Sequence, residues 1–422
     1  MASGLKSRLA RLRELGMTRA SSLPAAVGPG EGGPARALRR GGEERGSRPS
    51  SAARPSFLSG WRELDELLWT RELSFSLGFP PHIDPAPFSL GSRPKGAFGP
   101  GQLPEAAPLA RESLRFFDFE TSGLSGGTGT VAFLAAVGRF EGSDFLVTQL
   151  FLEDYPGEGA YLEALLASLG APAKPGGAMN GTAVFTYNGK SFDLPLLRSR
   201  CVMNGLPIPA LRDYDALRCA RRLWARIYGG ASLGLLEREV LGLERGEDVP
   251  GSDIPGIWFE YLRRGDHPLM GAVMAHNASD VSTLAALVSR IDQSFERPGK
   301  LAASASIDRG GLGRDLLRLG RCAEGEGLLE AAAGEGDEAA GLLLSRRYRR
   351  LGRVEERRAI LELLPRSRRS CVERAKFYEH SSRELGAALA WAREAAGLSV
   401  SEDERVADEA RVARLQRKLA RA

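Results

Sequence analysis

The chain has 422 residues, of which 43% are apolar and 26% are charged, the proportions of a globular protein with two or three structural units. No run approaches the ~18 apolar residues of a membrane-spanning helix, and the first residues lack the apolar core of a secretory signal, so no membrane association is expected. The four scattered cysteines form no CxxC pair, which argues against a zinc knuckle or a disulfide scaffold and predicts a cytoplasmic protein.

The positive charge is concentrated at the start of the chain. Residues 1–56 hold 11 Lys and Arg against 4 Asp and Glu, a net charge of +7, which leaves −2 of the total +5 for the remainder. Because this tail is rich in Gly, Pro, Ser and Arg and poor in large apolar residues, we predict that it is disordered. Global charge therefore supports nucleic-acid binding only weakly.

Order is expected to begin near residue 57. Ser59 has the chemistry of an N-cap, and it predicts a short helix that runs through Trp61, Leu64 and Leu68. Proline and glycine dominate residues 76–110. Residues 57–112 as a whole are therefore predicted to be an irregular segment that packs on the following domain.

The next part of the chain alternates strand-like and helical patterns. Three apolar runs, RFFDFET, VAFLAAVGRF and DFLVTQLFL, are separated by short turns and predict an antiparallel meander. A helix at about 158–169, a strand at AVFTYNG and a helix from Ser191 to about Asn204 follow, and further helices are predicted near 215–227, 231–241, 255–264 and 268–292. This order predicts an α/β domain with a mixed sheet over residues 113–295.

After a linker at 296–310, the pattern becomes purely helical. The sequence RLGR occurs at 318–321 and again at 350–353, an offset of 32 residues, and a weaker copy lies at 383–395. This period is typical of tetratricopeptide-like helix pairs, which we predict over residues 311–422. An irregular helical bundle is the alternative.

Two carboxylates on the first strand are the sharpest local feature. Because side chains alternate along a strand, Asp118 and Glu120 point to one face while Phe117 and Phe119 point to the other. Adjacent carboxylates repel, and burial without compensation is costly, whereas a divalent metal would remove that cost. Surface strands also carry such pairs by chance.

Two later segments place further polar residues after a strand and on a helix. Asn188 ends the strand AVFTY, and Asp193 lies in the first turn of the next helix, where the helix dipole favours a carboxylate in any protein. His276 and Asp280 are four residues apart, so they project from the same helix face. The apolar run after Asp280 indicates that this helix has a buried side.

Together, the pattern DxE, then NxxxxD, then HNxxD resembles the DEDD superfamily of 3′→5′ exonucleases, and most closely its YprB-type ribonuclease-H-like domain. The flanking segments GGTGTVAFL, TYNGKSFDLPLLRSR, ARRLW and SLGLLEREVLGLERGEDVPG are also similar to that family. The resemblance covers about residues 57–295. A helical C-terminal extension occurs in the family as well.

The resemblance implies a ribonuclease-H-like sheet and a two-metal hydrolysis of phosphodiester bonds. The implied ligands of two Mg²⁺ or Mn²⁺ ions are Asp118, Glu120, Asp193 and Asp280. Asp118 would bridge both ions, Glu120 and Asp280 would complete the ion that activates water, and Asp193 would serve the ion near the leaving oxygen. The residues implied to hold the nucleotide terminus are Thr121, Asn188 and Asn277.

The sequence departs from the family pattern at the candidate general base. DEDD enzymes usually carry Tyr four residues, or His five residues, before the last Asp, whereas here His276 lies four before Asp280. An unperturbed histidine titrates near ~6.5, so His276 could be neutral at physiological pH and competent to accept a proton.

The leading hypothesis is a metal-dependent 3′→5′ exonuclease that acts on a single-stranded 3′ end of DNA or RNA. One alternative is an inactive nucleic-acid-binding or scaffolding protein that keeps the fold. Another is a protein whose helical repeats recruit a protein partner.

Overall fold

The computed structural model describes residues 55–90, 107–123, 129–170, 182–246, 248–302 and 306–421, together with the backbone of Thr18–Arg19. The chain forms two compact units. The first unit takes its described residues from Met1–Pro85, Ala107–Arg218 and Ser232–Arg290. The second takes them from Ala86–Ala106, Cys219–Ala231 and Ile291–Ala422. The predicted domain boundaries stay predictions, and most of the predicted tail at 1–56 lies outside the described residues.

The main sheet has eight strands in the described part of the chain. They are β1 (Thr18–Arg19), β2 (Arg62–Asp65), β3 (Leu68–Ser76), β6 (Leu114–Thr121), β7 (Ala132–Glu141), β8 (Asp144–Leu152), β9 (Ala183–Thr186) and β10 (Arg212–Asp215). Their order is β1-β3-β8-β7-β6-β9-β10, with β2 paired to β3. In this sheet order, every neighbouring pair from β1 through β3, β8 and β7 to β6 is antiparallel. Strand β9 runs parallel to both of its neighbours, β6 and β10. A separate pair is formed by β4 (His82–Ile83) and β5 (Leu109–Ala110).

Between Ala86 and Ala302, the residues that the structure describes form eight α-helices. They are α1 (Ala86–Ser89), α2 (Glu158–Ser168), α3 (Asp193–Met203), α4 (Ala216–Tyr228), α5 (Leu233–Glu239), α6 (Ile254–Arg264), α7 (Met270–Glu296) and α8 (Pro298–Ala302). The predicted mixed α/β sheet and the predicted antiparallel meander, which is β6–β8, are confirmed. The boundary between the two units falls within α4 and again within α7.

The helix predicted after Ser59 is wrong. Residues Arg62–Asp65 and Leu68–Ser76 form a hairpin instead, and Leu67 turns the chain with φ of 62°. β3 pairs with β8 along its whole length, from Leu68 opposite Leu152 to Ser76 opposite Asp144. These ladder hydrogen bonds and cross-strand contacts outweigh the local N-cap preference of one serine.

A glycine lets α7 lie close to the sheet. Gly138 of β7 faces α7, and a Cβ atom there would lie 2.8 Å from Val281 Cγ1 and 2.3 Å from Phe145. Phe116 and Asp118 of β6 pair with Gly138 and Ala136 and share their face. Small residues on β7 thus let α7 pack against the sheet face that carries Asp118. The contact is made by Val281, the residue after Asp280.

The C-terminal region is helical. Its helices are α9 (Arg309–Arg318), α10 (Cys322–Gly334), α11 (Glu338–Leu351), α12 (Val354–Leu363), α13 (Arg368–His380), α14 (Leu385–Gly397) and α15 (Glu402–Leu419). The two RLGR segments lie at the α9–α10 and α11–α12 connections. Every second helix begins after an N-cap whose side chain accepts a backbone N–H, at Asp308, Asp337, Ser367 and Ser401.

These features confirm the helical C-terminal region. Its assignment as a tetratricopeptide-like array stays a prediction. Among the residues that the structure describes, no helix is both long and apolar enough to cross a membrane.

Candidate active site

The first two carboxylates lie on β6, as the strand pattern predicts. Phe117 and Phe119 share the opposite face, where their ring centroids are 4.6 Å apart. Asp118 is half-buried and Glu120 is buried. The alternation of the strand thus fixes a carboxylate face and an aromatic face.

The turn after β9 directs the next carboxylate to β6. Asn188 adopts a left-handed conformation with φ of 67°, and its backbone N–H donates to Asp215 Oδ1 at 3.0 Å. Gly189 follows, and a Cβ there would lie 2.4 Å from Thr186 Oγ1, so the turn requires glycine at this position. The Asn188 side chain is exposed.

Asp193 begins α3 and lies beside β6. Its carboxylate is buried, and the backbone N–H groups of Asp193 and Phe119 favour its charged form and so oppose the rise in its pKa. Phe119 lies between Asp118 and Glu120 in the strand. Asp193 therefore reaches the carboxylate face of β6, as the resemblance implies.

Helix α7 contributes His276 and Asp280 on one face. His276 Nε2 lies 3.5 Å from Asp280 Oδ2 and 3.8 Å from Glu120 Oε1. The predicted i, i+4 juxtaposition of His276 and Asp280 is therefore present, and it extends to the carboxylate of β6.

Asn277 is fully buried, and its amide joins α7 to the sheet. Its Nδ2 donates to Asp118 Oδ2 at 3.0 Å and to the Asp118 carbonyl at 3.4 Å. Its Oδ1 accepts from Gln149 Nε2 at 3.0 Å, and the same Gln149 amide donates to the Met274 carbonyl at 2.9 Å. These contacts orient Asp118.

Burial and neighbouring charges raise the pKa of Asp118, Glu120 and Asp193. Burial is the main cause of a pKa of Asp118 well above its usual range, with the charges of Asp280, Asp193 and Glu120 adding to it. Burial also raises the pKa of Glu120 to about 8, although His276 opposes this, and raises that of Asp193 to about 7. Such shifts show that the carboxylates are close and poorly neutralised.

Three further charged residues belong to the site and were missed from the sequence. Arg245 follows α5 and forms ion pairs with Glu237, Asp248 and Asp280, the contact with Asp248 Oδ2 being 3.0 Å. Asp248 Oδ1 in turn accepts from His276 Nδ1 at 2.7 Å. The segment that holds these residues resembles the family, but nothing in their spacing predicts contact with α7, which lies about 30 residues further along the chain.

The surroundings of His276 move its pKa away from the value of an unperturbed histidine. Burial alone would lower the pKa of His276, but the hydrogen bond to Asp248 and the charges of Asp280 and Glu120 raise it to about 9. Its charge and hydrogen bond, with those of Arg245, hold the pKa of Asp248 at about 2 despite burial. At neutral pH the imidazole therefore carries a proton and donates to Asp248.

The donor set fits a hard divalent cation by its chemistry. Asp118, Glu120, Asp193 and Asp280 supply only oxygen ligands, which Mg²⁺ and Mn²⁺ prefer. Within the described residues, no three His, Cys, Asp or Glu side chains already stand in a ligand arrangement. Arg245 occupies one oxygen of Asp280, and Asn277 occupies one of Asp118, so side chains must reorient for all four carboxylates to bind an ion.

Thr121 lies at the end of β6 and is buried. Its hydroxyl donates to the Gly123 carbonyl at 2.8 Å, a bond that shapes the turn after the strand.

A cavity of about 380 Å³ lies between α6 and the start of α7. Asp248 lines it together with Asp253 and Glu260, whereas none of the four candidate ligands does, and this acidic lining does not suit a phosphate.

The fold agrees with the comparison to known proteins. A profile of the RNase H superfamily matches residues 115–291, which makes this a nuclease-type domain that acts on nucleic acid. The chain belongs to the YprB family. It is 31% identical over 325 residues to a protein of Bacillus subtilis (strain 168) described as "Uncharacterized protein YprB", and the match covers 73% of this chain and 75% of that relative. The predicted resemblance is thereby confirmed.

Proposed function

We propose that the protein is a metal-dependent 3′→5′ exonuclease that hydrolyses single-stranded nucleic acid. One observation carries this proposal: carboxylates from β6, α3 and α7 lie close enough that burial and the charges of Asp193 and Asp280 raise the pKa of Asp118 and Glu120. Such an arrangement is unfavourable unless a cation compensates it. A nuclease-type domain of the RNase H superfamily supplies the reaction class.

The proposed ligands of two Mg²⁺ or Mn²⁺ ions are Asp118, Glu120, Asp193 and Asp280. When bound, such ions stabilise charge on the attacking and leaving oxygens of a phosphodiester. Asn277, held by Gln149, orients Asp118, and the Phe119 N–H orients Asp193. These contacts hold Asp118 and Asp193 beside the other carboxylates, and Asp118 and Asp280 must each release an occupied oxygen before all four can bind an ion.

We assign the nucleotide contacts differently from the sequence-based expectation. Asn188 is exposed at the carboxyl end of β9, so it keeps its proposed role in substrate binding. Thr121 and Asn277 are buried and use their polar groups within the protein. We propose that both are positioning residues.

His276 is proposed to hold and move a proton at Nε2. Its Nδ1 donates to Asp248, which fixes the tautomer and leaves Nε2 facing Glu120 and Asp280. Neutralisation of those two carboxylates would remove charges that keep the imidazole protonated, so its pKa would fall. The general-base role is thus conditional on their neutralisation.

The test is digestion of single-stranded DNA and RNA, labelled at either end, with Mg²⁺, Mn²⁺ or EDTA. We expect products that shorten from the 3′ end only when metal is present. Asp118→Asn and Asp193→Asn should abolish cleavage and keep the fold, while Asp144→Asn, at the exposed start of β8, should leave cleavage intact. Cleavage in EDTA, or near wild-type rates in both site variants, would eliminate the two-metal site.

A binding-only function has one observation in its favour. Arg245 already pairs with Asp280, one of the four proposed ligands, and could hold the cluster together without a metal. In that case the protein would bind the labelled strands but would not shorten them with either metal. A protein partner for the C-terminal helices and a cytoplasmic location stay predictions.

A further inference from the structure

Arg245 is the cation of the candidate site. Its guanidinium contacts three carboxylates: Nε contacts Glu237, Nη1 contacts Asp248 and Nη2 contacts Asp280. Only 16% of its side chain is exposed, and the Glu237 side chain is fully buried. Arg245 is therefore held by three charge-assisted hydrogen bonds rather than lying free at the surface.

Among the four proposed ligands, Asp280 is distinguished by this pairing. Its Oδ1 accepts from Arg245, and its Oδ2 lies 3.5 Å from His276 Nε2. In the described part of the chain, neither Asp118, Glu120 nor Asp193 forms an ion pair with an Arg or Lys side chain. Arg245 thus pairs directly with one ligand of the cluster, while Glu120 has only the His276 imidazole, 3.8 Å away, as a cationic neighbour among the described residues.

We propose that Arg245 is a displaceable counter-ion that occupies Asp280 until a divalent cation binds there. This inference rests on the metal site of the proposed function. A guanidinium and a divalent cation on the same carboxylate repel each other, so binding of the metal requires Nη2 to leave Oδ1. Arg245 keeps Glu237 and Asp248 as partners, so it can release Asp280 without becoming an unpaired buried charge.

The consequence is that Arg245 lowers the affinity of the site for metal and acts as a positioning residue for Asp280. Mutation of a purely structural ion pair would give a different result. Loss of a structural pair would destabilise the fold, because Glu237 would be left buried without its cation, but it would not change metal affinity in protein that remains folded.

The experiment is calorimetric titration of the full chain with Mn²⁺, without nucleic acid. Arg245→Gln removes the charge and keeps an amide nitrogen where Arg245 has Nε, the atom that contacts Glu237, and it should bind Mn²⁺ at least ~10-fold more tightly than wild type. Arg245→Lys keeps the charge and should stay within about threefold of wild type. Arg238→Gln, which removes an exposed arginine paired with Glu239, is the matched control and should change nothing.

The outcomes separate this inference from the proposed function. Absence of Mn²⁺ binding in wild type, or binding that Asp118→Asn leaves unchanged, would overturn the metal site itself. Wild-type binding that depends on Asp118, with equal affinity in Arg245→Gln, would overturn only the counter-ion role. If Arg245→Gln does not fold, an NMR titration of the wild-type protein decides. The Nε–H resonance of Arg245, identified by its loss in Arg245→Lys, should shift when Mg²⁺ is added. An unchanged resonance would contradict displacement.

Discussion

Asn277 illustrates at the scale of one residue how a buried amide fixes a charged neighbour. Its two polar atoms connect Gln149 of β8, Asp118 of β6 and α7 itself. Asn277→Ala leaves the Gln149 amide and Asp118 without this partner in a buried place. We expect the free energy of unfolding to fall by about 1–3 kcal/mol, measured by urea denaturation. Asn188→Ala at the exposed turn is the comparison, and a smaller loss at Asn277 than at Asn188 would contradict the bridging role.

The carboxylates predict an unusual pH dependence in metal-free protein. The pKa of Glu120 is raised from 4.5 to about 8, so its stabilising contribution is complete below about pH 4.5 and is lost as the pH rises to about 8. In EDTA, wild type should therefore lose more melting temperature between pH 5 and pH 8 than Glu120→Gln, by at least ~3 °C. Equal losses in the two proteins would show that Glu120 is not protonated in the fold.

His276 should matter for turnover more than for metal binding. The four carboxylates remain in His276→Ala, while the group that holds a proton at Nε2 is lost. We expect turnover to fall by at least ~10²-fold in single-turnover digestion, with Mn²⁺ affinity nearly unchanged. His267→Ala, which removes a histidine paired with Glu260, is the control. Cleavage by His276→Ala within threefold of wild type would leave His276 a packing role only.

The candidate site was predictable where its residues follow local rules. Asp118 and Glu120 follow from the two-residue period of a strand, and His276 and Asp280 from the four-residue spacing of a helix. Arg245 contacts Asp280 across 35 residues, and Gln149 contacts Asn277 across 128. Such contacts depend on tertiary packing and have no local pattern. The protonated state of His276 was missed because the sequence did not identify Asp248 as its hydrogen-bond partner.

At the scale of elements, the long periodic segments were predicted well and the N-terminal β2–β3 hairpin was not. Helices α2 to α7 follow from apolar spacing, and the meander β6–β8 follows from three apolar runs separated by turns. The β2–β3 hairpin was read as a helix because its stability comes from pairing with β8. Residues that gain their structure from a distant strand carry little signal of their own.

Two glycines of α10 make opposite predictions for the helical region. A Cβ at Gly325 would lie 2.8 Å from the Gly313 carbonyl of α9, whereas a Cβ at Gly327 meets nothing within 4 Å. Gly325→Ala should therefore destabilise the protein by about 1–3 kcal/mol, because the helices must move apart. Gly327→Ala should stabilise it by about 0.5–1 kcal/mol through helix propensity. Thermal denaturation of both variants tests this, and shifts of the same sign would mean that the close approach of α9 and α10 is not strict.

At the scale of the whole molecule, the net positive charge lies in the N-terminal residues, whereas the remainder of the chain, which forms nearly all of the described helices and strands, carries a net charge of −2. The first 55 residues hold a net charge of +7, and in the described part of the chain they pair with the sheet only through Thr18 and Arg19. Deletion of residues 1–55 should change the melting temperature by less than ~3 °C. It should also weaken binding of single-stranded substrate and make that binding less dependent on salt, by ~0.7 in the log–log slope for each lost phosphate contact.

Fluorescence anisotropy over a series of KCl concentrations, with the Asp118→Asn variant to prevent cleavage, measures that slope. An unchanged slope would show that the tail does not contact the strand. A melting temperature that falls far more would mean that the tail supports the fold.

The interleaving of the two units along the chain has a consequence for biosynthesis. The first unit needs residues up to Arg290, and the second needs Cys219–Ala231, which is made before that point. A ribosome that has released only the first 218 residues has therefore completed neither unit, although β6 to β10 are already present. His276 and Asp280 arrive last at the carboxylate face. During translation, Asp118, Glu120 and Asp193 are therefore synthesised before the helix α7 that packs against them. A nascent chain that stalls before α7 would leave these carboxylates exposed to the quality-control machinery of the cell.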